Sequence, residues 1–284
     1  MDCNSITPEL TSTQFARISR LAYRESGISL QPGKEALVRS RLTSRLLKLG
    51  LGSFDQYADL LEGKDSDAEL RSMIDALATN KTSFFREPQH FAYLKSHVLP
   101  RLVAGGNPLR FWSAGCSSGE EPYTLAIVLL EEICAPHFLD CRILATDISR
   151  RVLEQARRGV YQSSEIESVP PKCLARYFTA AGDEASPAHR ITEAVRRLIR
   201  FARLNLIDDW PMRGPFDVIF CRNVMIYFDQ PTRMELAIRF TQLLAPGGHL
   251  FVGHTETLSR MCPELRYVQP AVYVKQAGRD FPED

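Results

Sequence analysis

The sequence has no long apolar run, almost no net charge and no paired-cysteine motif. No stretch of the 284 residues approaches the roughly 18 apolar residues of a membrane-spanning helix, so we expect no membrane insertion. A formal net charge of +1 gives the molecule no overall attraction for nucleic acid, and we expect no nucleic-acid partner. Residues 1–9 lack the basic and apolar segments of a signal peptide, which favours a cytoplasmic protein.

The cysteines argue against two kinds of stabilisation. There are seven, an odd number, and none belongs to a C-x-x-C pair. This spacing disfavours a disulfide framework and a zinc site, so we expect free thiols in a reducing compartment and no metal. The seven are Cys3, Cys116, Cys134, Cys141, Cys173, Cys221 and Cys262.

What is present begins with a helical region. Up to about residue 80 the apolar residues recur at helical spacing, and no strand-like alternation occurs. The pattern predicts helices over 13–24, 34–49, 54–61 and 68–77. We therefore expect an all-α N-terminal domain over 1–80, followed by a linker over 81–90 that contributes to the functional site.

After the linker, short apolar strands alternate with helices. Strands are predicted over 109–113, 142–146, 216–221 and 249–253, and helices over 120–132, 149–157 and 231–244. Such βαβ alternation is typical of a mostly parallel sheet with helices on both faces. Two antiparallel strands are predicted within 265–275, and a small β-rich insertion over 161–204. The fold class is therefore α/β, with a Rossmann-like domain over 91–284.

A glycine-rich turn over 115–119 joins the first predicted strand to the first helix of this domain. Its G-x-x-x-G spacing does not fit the G-x-G-x-x-G of dinucleotide-binding proteins, and Glu120 stands where a P-loop needs lysine. The turn formally fits the G-x-S-x-G of α/β-hydrolases at Ser117, but in that fold one or more strands come before the strand that leads into the turn, and here only helical material precedes that strand. We interpret Gly115 and Gly119 as allowing the close approach of a ligand.

The remaining ligand class is a polar nucleoside without phosphates. Asp147 ends the second strand, where a carboxylate can accept both ribose hydroxyls. Asn205 follows a third strand and suits an amide contact with adenine, and Glu120 or Glu121 could pair with an amino group. Carboxylates at the turn suit a ligand with a sulfonium and an ammonium group better than one with phosphates. The combination predicts S-adenosylmethionine as the cofactor.

Several strings of the sequence together resemble one known family, the chemotaxis receptor methyltransferases (CheR). They are Thr-Asn-Lys-Thr-Ser-Phe-Phe-Arg-Glu at 79–87, Gly-Glu-Glu-Pro-Tyr at 119–123, Ala-Thr-Asp-Ile at 145–148, Phe-Cys-Arg-Asn-Val-Met-Ile-Tyr-Phe at 220–228, Leu-Ala-Pro-Gly-Gly-His-Leu at 244–250 and Gly-His-Thr-Glu at 253–256. The resemblance runs from about residue 12 to 275. It implies an S-adenosylmethionine-dependent protein-glutamate O-methyltransferase of bacterial chemotaxis. The expected partners are the cytoplasmic helices of chemoreceptors, and the expected product of the cofactor is S-adenosylhomocysteine.

The resemblance also implies the site residues. Arg86 and Tyr227 are the expected catalytic residues, with Tyr227 near the methyl group. The expected cofactor-binding residues are Asn80, Thr82, Arg86, Gly115, Glu121, Asp147, Asn205, Leu206, Arg222 and Asn223. Some members of the family dock a receptor C-terminal peptide on the β-subdomain. The loop 180–188 of this chain does not match, which leaves that role open.

Two alternatives compete with this function. Enzymes that methylate amino groups usually carry Asn/Asp-Pro-Pro-Tyr after the fourth strand, where this chain has Arg-Asn-Val-Met at 222–225. A regulatory module that binds S-adenosylmethionine without turnover is the second alternative. The presence of Arg86, Asp147 and Tyr227 argues against such a module without excluding it.

The predicted helix over 34–49 carries a basic face beside an apolar stripe. We call Lys34, Arg41, Arg45 and Lys48 the basic face, because they fall within about 60° of one another at helical spacing. The apolar stripe consists of Val38, Leu42, Leu46 and Leu49. We expect the basic face to dock the acidic, glutamate-bearing receptor helix, with a solvated surface as the alternative. We expect the protein to be a monomer.

Overall fold

The computed structural model describes residues 8–133, 140–183, 187–258 and 262–276. Cys3, Cys134, residues 1–7 of the segment considered for a signal peptide and residues 184–186 of the loop 180–188 lie outside them. The chain divides into two units: Met1–Thr79 with Tyr227–Thr232, and Asn80–Ile226 with Arg233–Asp284. The linker predicted over 81–90 therefore belongs to the second unit.

The first unit is helical in its described part, as the periodicity predicts. Its helices are α1 (Ser12–Ser26), α2 (Glu35–Leu49), α3 (Phe54–Glu62) and α4 (Asp67–Leu77). Thr11 and Gln14 form a capping box at the start of α1, in which each side chain accepts the other's backbone N–H at 3.3 and 2.8 Å. Gly27 and Gly50 end α1 and α2 in the left-handed conformation that glycine favours. Capping and periodicity together place each helix within two residues of its expected bounds.

The rest of the chain alternates strands and helices. The helices are α5 (Pro88–Tyr93), which continues as the π-helical segment Leu94–Val98, α6 (Leu99–Ala104), α7 (Glu120–Glu132), α8 (Arg150–Arg158), α9 (Pro171–Tyr177), α10 (Glu193–Arg196) and α11 (Gln230–Leu243), with 3-10 turns at Ser163–Glu165 and Met225–Tyr227. The strands are β1 (Leu109–Ala114), β2 (Cys141–Asp147), β3 (Val160–Gln162), β4 (Phe178–Ala181), β5 (Ala188–Ile191), β6 (Ile199–Arg203), β7 (Phe216–Cys221), β8 (Leu244–Val252), β9 (Leu265–Gln269) and β10 (Val272–Lys275).

The main sheet has the order β6-β2-β1-β7-β8-β10-β9. The pairs β1·β2, β1·β7, β2·β6 and β7·β8 are parallel, and β10 pairs antiparallel with β8 and β9. This confirms the predicted parallel sheet with an antiparallel end. The strand order changes direction between β1 and β7, and in open α/β sheets ligands bind at the carboxyl ends of the strands near such a point.

Two strands differ from the sequence-based expectation. β6 pairs in parallel with β2, with Ile143 opposite Ile199, so it belongs to the main sheet and not to the β-rich insertion. β6 is an edge strand that is only partly buried, so it carries no continuous apolar run to mark it. The insertion is the smaller sheet β3-β5-β4. β8 begins at Leu244, opposite Phe216 across a register shift, whereas the sequence predicted this strand only over 249–253.

The core of the second unit lies on both faces of the main sheet. Phe220 of β7 and Phe251 of β8 stack with ring centroids 4.5 Å apart. Trp112 of β1 is fully buried and contacts Trp210 and Phe240 at centroid distances of 4.9 and 5.2 Å. Among the described residues, no helix combines the length and apolarity needed to cross a membrane.

Candidate active site

The turn between β1 and α7 is held against the end of β2. The N–H groups of Gly115 and Cys116 both donate to the Thr146 carbonyl at 2.8 Å. Gly115 and Gly119 have φ values of 85° and 101°, which favour glycine. A Cβ added at Gly115 would lie 2.3 Å from Val224 Cγ2, and one at Gly119 would lie 2.9 Å from the Ala156 Cβ. The glycines therefore meet a packing need of the chain itself, and a contact of Gly115 with a ligand stays a prediction.

Asp147 connects this turn to the loop that follows β2. It is 7% exposed. Its Oδ2 accepts the Ser117 N–H at 2.8 Å and its Oδ1 accepts the Ser149 N–H at 2.9 Å. Because one carboxylate binds amides from two loops, it fixes both of them at the carboxyl end of β2.

The two acidic residues at the start of α7 have different surroundings. The Glu121 Oε1 accepts the Ser113 hydroxyl at 2.6 Å, and its Oε2 lies 3.5 Å from an Arg222 nitrogen. Burial raises the pKa of Glu121, while the Arg222 charge and the Ser113 hydrogen bond oppose the rise. Glu120 is buried beside the Ser118 hydroxyl, and burial raises its pKa to about 7. Glu121 is therefore the carboxylate connected to the end of β7.

Arg222, the first residue after β7, links that strand to the linker segment. Its side chain is 2% exposed, and its Nε lies 3.2 Å from Glu87 Oε2. The guanidinium also donates to the Arg86 carbonyl and lies 5.5 Å from the centre of the Phe91 ring. A buried guanidinium needs partners of this kind, because an unpaired buried charge is costly. Arg222 therefore holds the backbone of residues 86 and 87 in place.

The linker segment itself lies against the turn after β1. The Ser117 hydroxyl donates to the Asn80 carbonyl at 2.9 Å, and the Phe85 N–H donates to Thr124 Oγ1 at 3.1 Å. The Arg86 guanidinium donates to the Lys81 carbonyl at 2.9 Å. Non-glycine residues with positive φ usually persist only where surrounding contacts hold them, and residues 85 and 87 have φ values of 53° and 55°. The segment is thus a fixed part of the second unit.

Asn223 carries an unsatisfied buried group. It has a φ of 58°, and its N–H donates to Glu256 Oε2 at 2.9 Å. Its side-chain Oδ1 is buried and has no hydrogen-bond partner in the part of the chain that the structure describes. Leaving such an oxygen unpaired costs about 1–3 kcal/mol, so it points to a bound polar ligand. This oxygen is consistent with the polar ligand inferred from the sequence.

Asn205 and Leu206 follow β6 and are both mostly buried. The Asn205 amide donates to Asp208 Oδ1 at 3.0 Å. The Leu206 carbonyl accepts from Trp210 Nε1 at 3.1 Å and from Arg239 at 3.0 Å. These contacts order the loop that follows β6, next to the end of β2 in the sheet.

The structure thus brings the predicted cofactor-binding residues to the carboxyl ends of four adjacent strands and to the linker segment beside them. We call this set the strand-end site: Asn80, Thr82, Arg86, Gly115, Glu121, Asp147, Asn205, Leu206, Arg222 and Asn223. Because β6, β2, β1 and β7 are neighbours in the sheet, residues that are far apart in sequence lie together at the carboxyl ends of these strands.

Comparison with known proteins agrees with this geometry. Residues 80–274 match the family described as "CheR methyltransferase, SAM binding domain", and residues 13–78 match "CheR methyltransferase, all-alpha domain". The chain belongs to the CheR methyltransferase family. It is therefore an α/β S-adenosylmethionine-dependent methyltransferase with an all-α N-terminal domain, as the resemblance implied.

Named relatives of this CheR-family chain cover nearly all of it. The "Probable chemotaxis protein methyltransferase" of Rhizobium etli is 42% identical over 242 residues, which cover 84% of this chain and 90% of that protein. The "Chemotaxis protein methyltransferase" of Borreliella burgdorferi is 39% identical, covering 94% of this chain and 95% of that protein. The protein of that name in Escherichia coli is 41% identical, with coverage of 89% and 87%. A solved structure of PKMT2 from Rickettsia typhi with AdoHcy gives a TM-score of 0.36 at 17% identity, covering 62% of this chain and 26% of that chain, a likeness too weak to support an inference.

Tyr227, the second predicted catalytic residue of this CheR-family chain, groups with the helical unit. Its side chain is half-buried, and its carbonyl accepts the Ser29 N–H at 2.8 Å. Its expected position near the methyl group stays a prediction.

The basic face of α2 is less uniform than the helical wheel suggests. Arg45 pairs with Glu69, which also accepts the Tyr57 hydroxyl at 2.8 Å. Arg41 donates to the Leu77 carbonyl and to the Thr79 hydroxyl. Of the stripe, Val38, Leu42 and Leu46 are buried as expected, whereas Leu49 is 39% exposed because it lies at the end of the helix. The exposed charges of the face are those of Lys34 and Lys48.

Sequence reasoning assigned no individual role to Glu87, His90 or Glu256, although two of them lie in the motifs that carry the family resemblance. Glu87 pairs with Arg222 and lies 3.3 Å from His90 Nδ1. Burial lowers the pKa of His90 to about 3, so its ring is neutral at pH 7. The signals available in the sequence were the position of Glu87 directly after the predicted site residue Arg86 and the position of Glu256 within the Gly-His-Thr-Glu string.

Glu87, His90 and His254 also place ligand atoms within 4.8 Å of one another, a separation at which a metal could bind, and the described residues contain this one such group. The two imidazole rings are stacked, with centroids 5.1 Å apart and an angle of 18° between their planes. Their in-plane lone pairs therefore lie in two nearly parallel planes, an arrangement in which one ion cannot lie well in the plane of both rings. Glu87 is also paired with the Arg222 guanidinium. These contacts do not favour a metal centre.

Proposed function

We propose that this protein is a protein-glutamate O-methyltransferase that transfers the methyl group of S-adenosylmethionine to glutamate side chains of chemoreceptors in the cytoplasm. The products are glutamyl methyl esters and S-adenosylhomocysteine. Membership of the CheR family and relatives named "Chemotaxis protein methyltransferase" support this reaction. The observation that carries it in the structure is the buried, unpartnered Oδ1 of Asn223 at the strand-end site. We further propose that the protein acts as a monomer.

The residues that would hold the cofactor are those of the strand-end site. Asp147 is suited to the ribose because a carboxylate accepts charge-assisted hydrogen bonds from hydroxyl groups. Glu121 is suited to the ammonium group, and Asn223 offers an acceptor that has no partner among the described residues. When bound, the cofactor supplies a methyl group activated by a positive sulfonium.

The acceptor chemistry requires little proton transfer. A glutamate with a pKa of about 4.3 is ionised at pH 7, so no general base is needed. The nucleophile is negative and the sulfonium positive, so charge disappears as the transition state forms. Strong electrostatic stabilisation would favour the ground state and give little acceleration. The protein's task is therefore to align the reacting groups and to remove water from them.

Two residues have proposed roles in that task. Arg86 holds the cofactor and steers the incoming carboxylate, since its backbone is fixed through the Arg222 contact. Tyr227 shapes the surroundings of the methyl group through its ring and is not required as an acid or base.

The receptor partner is proposed to meet α2. The methylated segment of the receptor is a helix that carries glutamates, and the basic face of α2 is complementary to it in charge. Arg41 and Arg45 have partners within the helical unit. Lys34 and Lys48 are exposed, so they are the residues of the basic face best placed to bind a receptor.

The decisive experiment follows a labelled methyl group. The purified full chain is incubated with labelled S-adenosylmethionine and a receptor cytoplasmic fragment, and the labelled product is treated with mild alkali. A methyl ester releases the label as volatile methanol. Label that survives the base would indicate a nitrogen or sulfur acceptor and would overturn the assignment. Cofactor binding without any transfer would instead favour the regulatory module.

A further inference from the structure

One carboxylate holds the loop that follows β7. Glu256 lies in the loop after β8 and is 5% exposed. Its Oε2 accepts the N–H groups of Asn223 and Gly253 at 2.9 and 2.5 Å, and its Oε1 accepts the Ile226 N–H at 3.1 Å. A single side chain thus joins the loops at the carboxyl ends of two adjacent strands.

The packing around this carboxylate is tight. A Cβ added at Gly253 would lie 2.6 Å from the Asn223 Nδ2 and 2.8 Å from Glu256 Oε2. Gly253 therefore leaves the space that both side chains occupy. The carboxylate and the Asn223 amide both lie against the backbone of Gly253.

The conformation of Asn223 depends on tertiary contacts. A non-glycine residue at a φ of 58° is intrinsically disfavoured and persists where its surroundings hold it. The Glu256 bond to its N–H is such a contact. Because the side chain leaves from the same Cα, the direction of the unpartnered Oδ1 follows from that backbone conformation.

We propose that Glu256 is a positioning residue for cofactor binding, which acts by fixing the backbone of Asn223 so that its amide oxygen faces the cofactor. The proposal rests on the proposed function, which places Asn223 in the cofactor site. Glu256 itself does not contact the cofactor. An ionised carboxylate is the side chain suited to this position because it accepts hydrogen bonds and donates none.

The test variant is Glu256→Gln, which keeps the shape and turns an NH₂ group toward backbone N–H donors. We expect the Kd of S-adenosylhomocysteine for the full chain, measured by calorimetry, to rise about tenfold or more. The matched control is Asp217→Asn. Asp217 also accepts a backbone N–H, that of Arg110 at 2.7 Å, but it lies near the amino end of β7. This control should leave the Kd within about twofold.

A double-mutant cycle separates positioning from a general effect on stability. If Glu256 acts through Asn223, then Glu256→Gln should add little to the loss already caused by Asn223→Ala. Additive losses, or an unchanged Kd in a folded Glu256→Gln protein, would overturn the proposal. If Glu256→Gln does not fold, Glu256→Asp is the test variant. It keeps the carboxylate but places it one methylene closer to the backbone. An unchanged Kd in Glu256→Asp would also overturn the proposal.

This readout is independent of the receptor reaction. A wild-type protein that binds S-adenosylhomocysteine but does not methylate receptor fragments would overturn the proposed function. In that case a raised Kd in Glu256→Gln would still support the positioning role.

Discussion

The strand-end site and the basic face of α2 both carry predicted functional charges, but the charges have opposite surroundings. At the strand ends, Asp147 is 7% exposed and the Arg222 side chain is 2% exposed, and each binds other groups of the protein. On the basic face, Lys34, directly before α2, and Lys48 are exposed. A buried charge cannot be removed without disturbing its partners, whereas an exposed charge can be reversed alone. The two regions should therefore respond differently to substitution.

The largest effect is expected at Arg86. Arg86→Ala should lower kcat/KM by about 10² or more, because the cofactor and the incoming carboxylate lose their orientation. Steady-state kinetics with labelled S-adenosylmethionine and a receptor fragment measures this. The control is Arg142→Ala, which removes an exposed arginine of β2 and should have little effect. A loss below about fivefold would show that the strand-end site works without this guanidinium.

A smaller effect is expected at Asp147. Asp147→Ala should raise the Kd of S-adenosylmethionine by about tenfold or more, since charge-assisted hydrogen bonds are worth about 1.5–3 kcal/mol. It also removes the acceptor of two backbone N–H groups, so Asp147→Asn is the milder companion. Calorimetry on folded protein gives the Kd. The control is Asp140→Ala, directly before the amino end of β2. Equal Kd values for Asp147→Ala and Asp140→Ala would show that Asp147 is not part of the cofactor site.

Tyr227→Phe tests whether chemistry depends on a hydroxyl group. The ring remains, so kcat should fall by less than about tenfold, near the value of one hydrogen bond. The pH–rate profiles of the wild type and of Tyr227→Phe should have the same shape near pH 7, because the hydroxyl is not expected to act as an acid or base. Tyr267→Phe, an exposed tyrosine of β9, serves as control. A loss of several orders of magnitude with cofactor affinity intact would assign the phenol a chemical step.

The smallest effect is expected on α2. Reversing Lys34 and Lys48 to Glu should raise the receptor KM about threefold to fivefold and weaken its salt dependence, with cofactor affinity unchanged. Arg20 and Arg71, exposed on α1 and α4, provide a control reversal with the same change in net charge. Equal KM values for the two double variants would favour a solvated surface.

Reversing Arg41 and Arg45 gives a contrasting result within the same face. Arg45→Glu places a second carboxylate beside Glu69, whose side chain is 12% exposed, so we expect a lower Tm as well as a higher KM. Lys34 and Lys48 therefore give the cleaner measure of docking.

The sequence predicted most of the fold because local signals agreed with one another. Helical periodicity and caps marked α1 to α4, and apolar strands alternating with helices marked the parallel sheet. Two strands were exceptions: β8 begins earlier than predicted, and β6, a partly buried edge strand, was assigned to the β-rich insertion. The place of β6 was decided by pairing with β2, a contact between residues more than fifty positions apart in the chain.

The candidate site divides in the same way. Sequence and family resemblance predicted Asp147, Glu121 and Asn223 as site residues, and each lies at, or within two residues of, the end of a strand or of the glycine-rich turn. The sequence could not show that Arg222 would donate to the Arg86 carbonyl. Nor could it show that Glu256 would accept backbone N–H groups from two loops. Those contacts join segments separated by 30 residues or more. Local patterns carry no information about which distant backbone groups a buried charge will satisfy, and only the packed structure decides that.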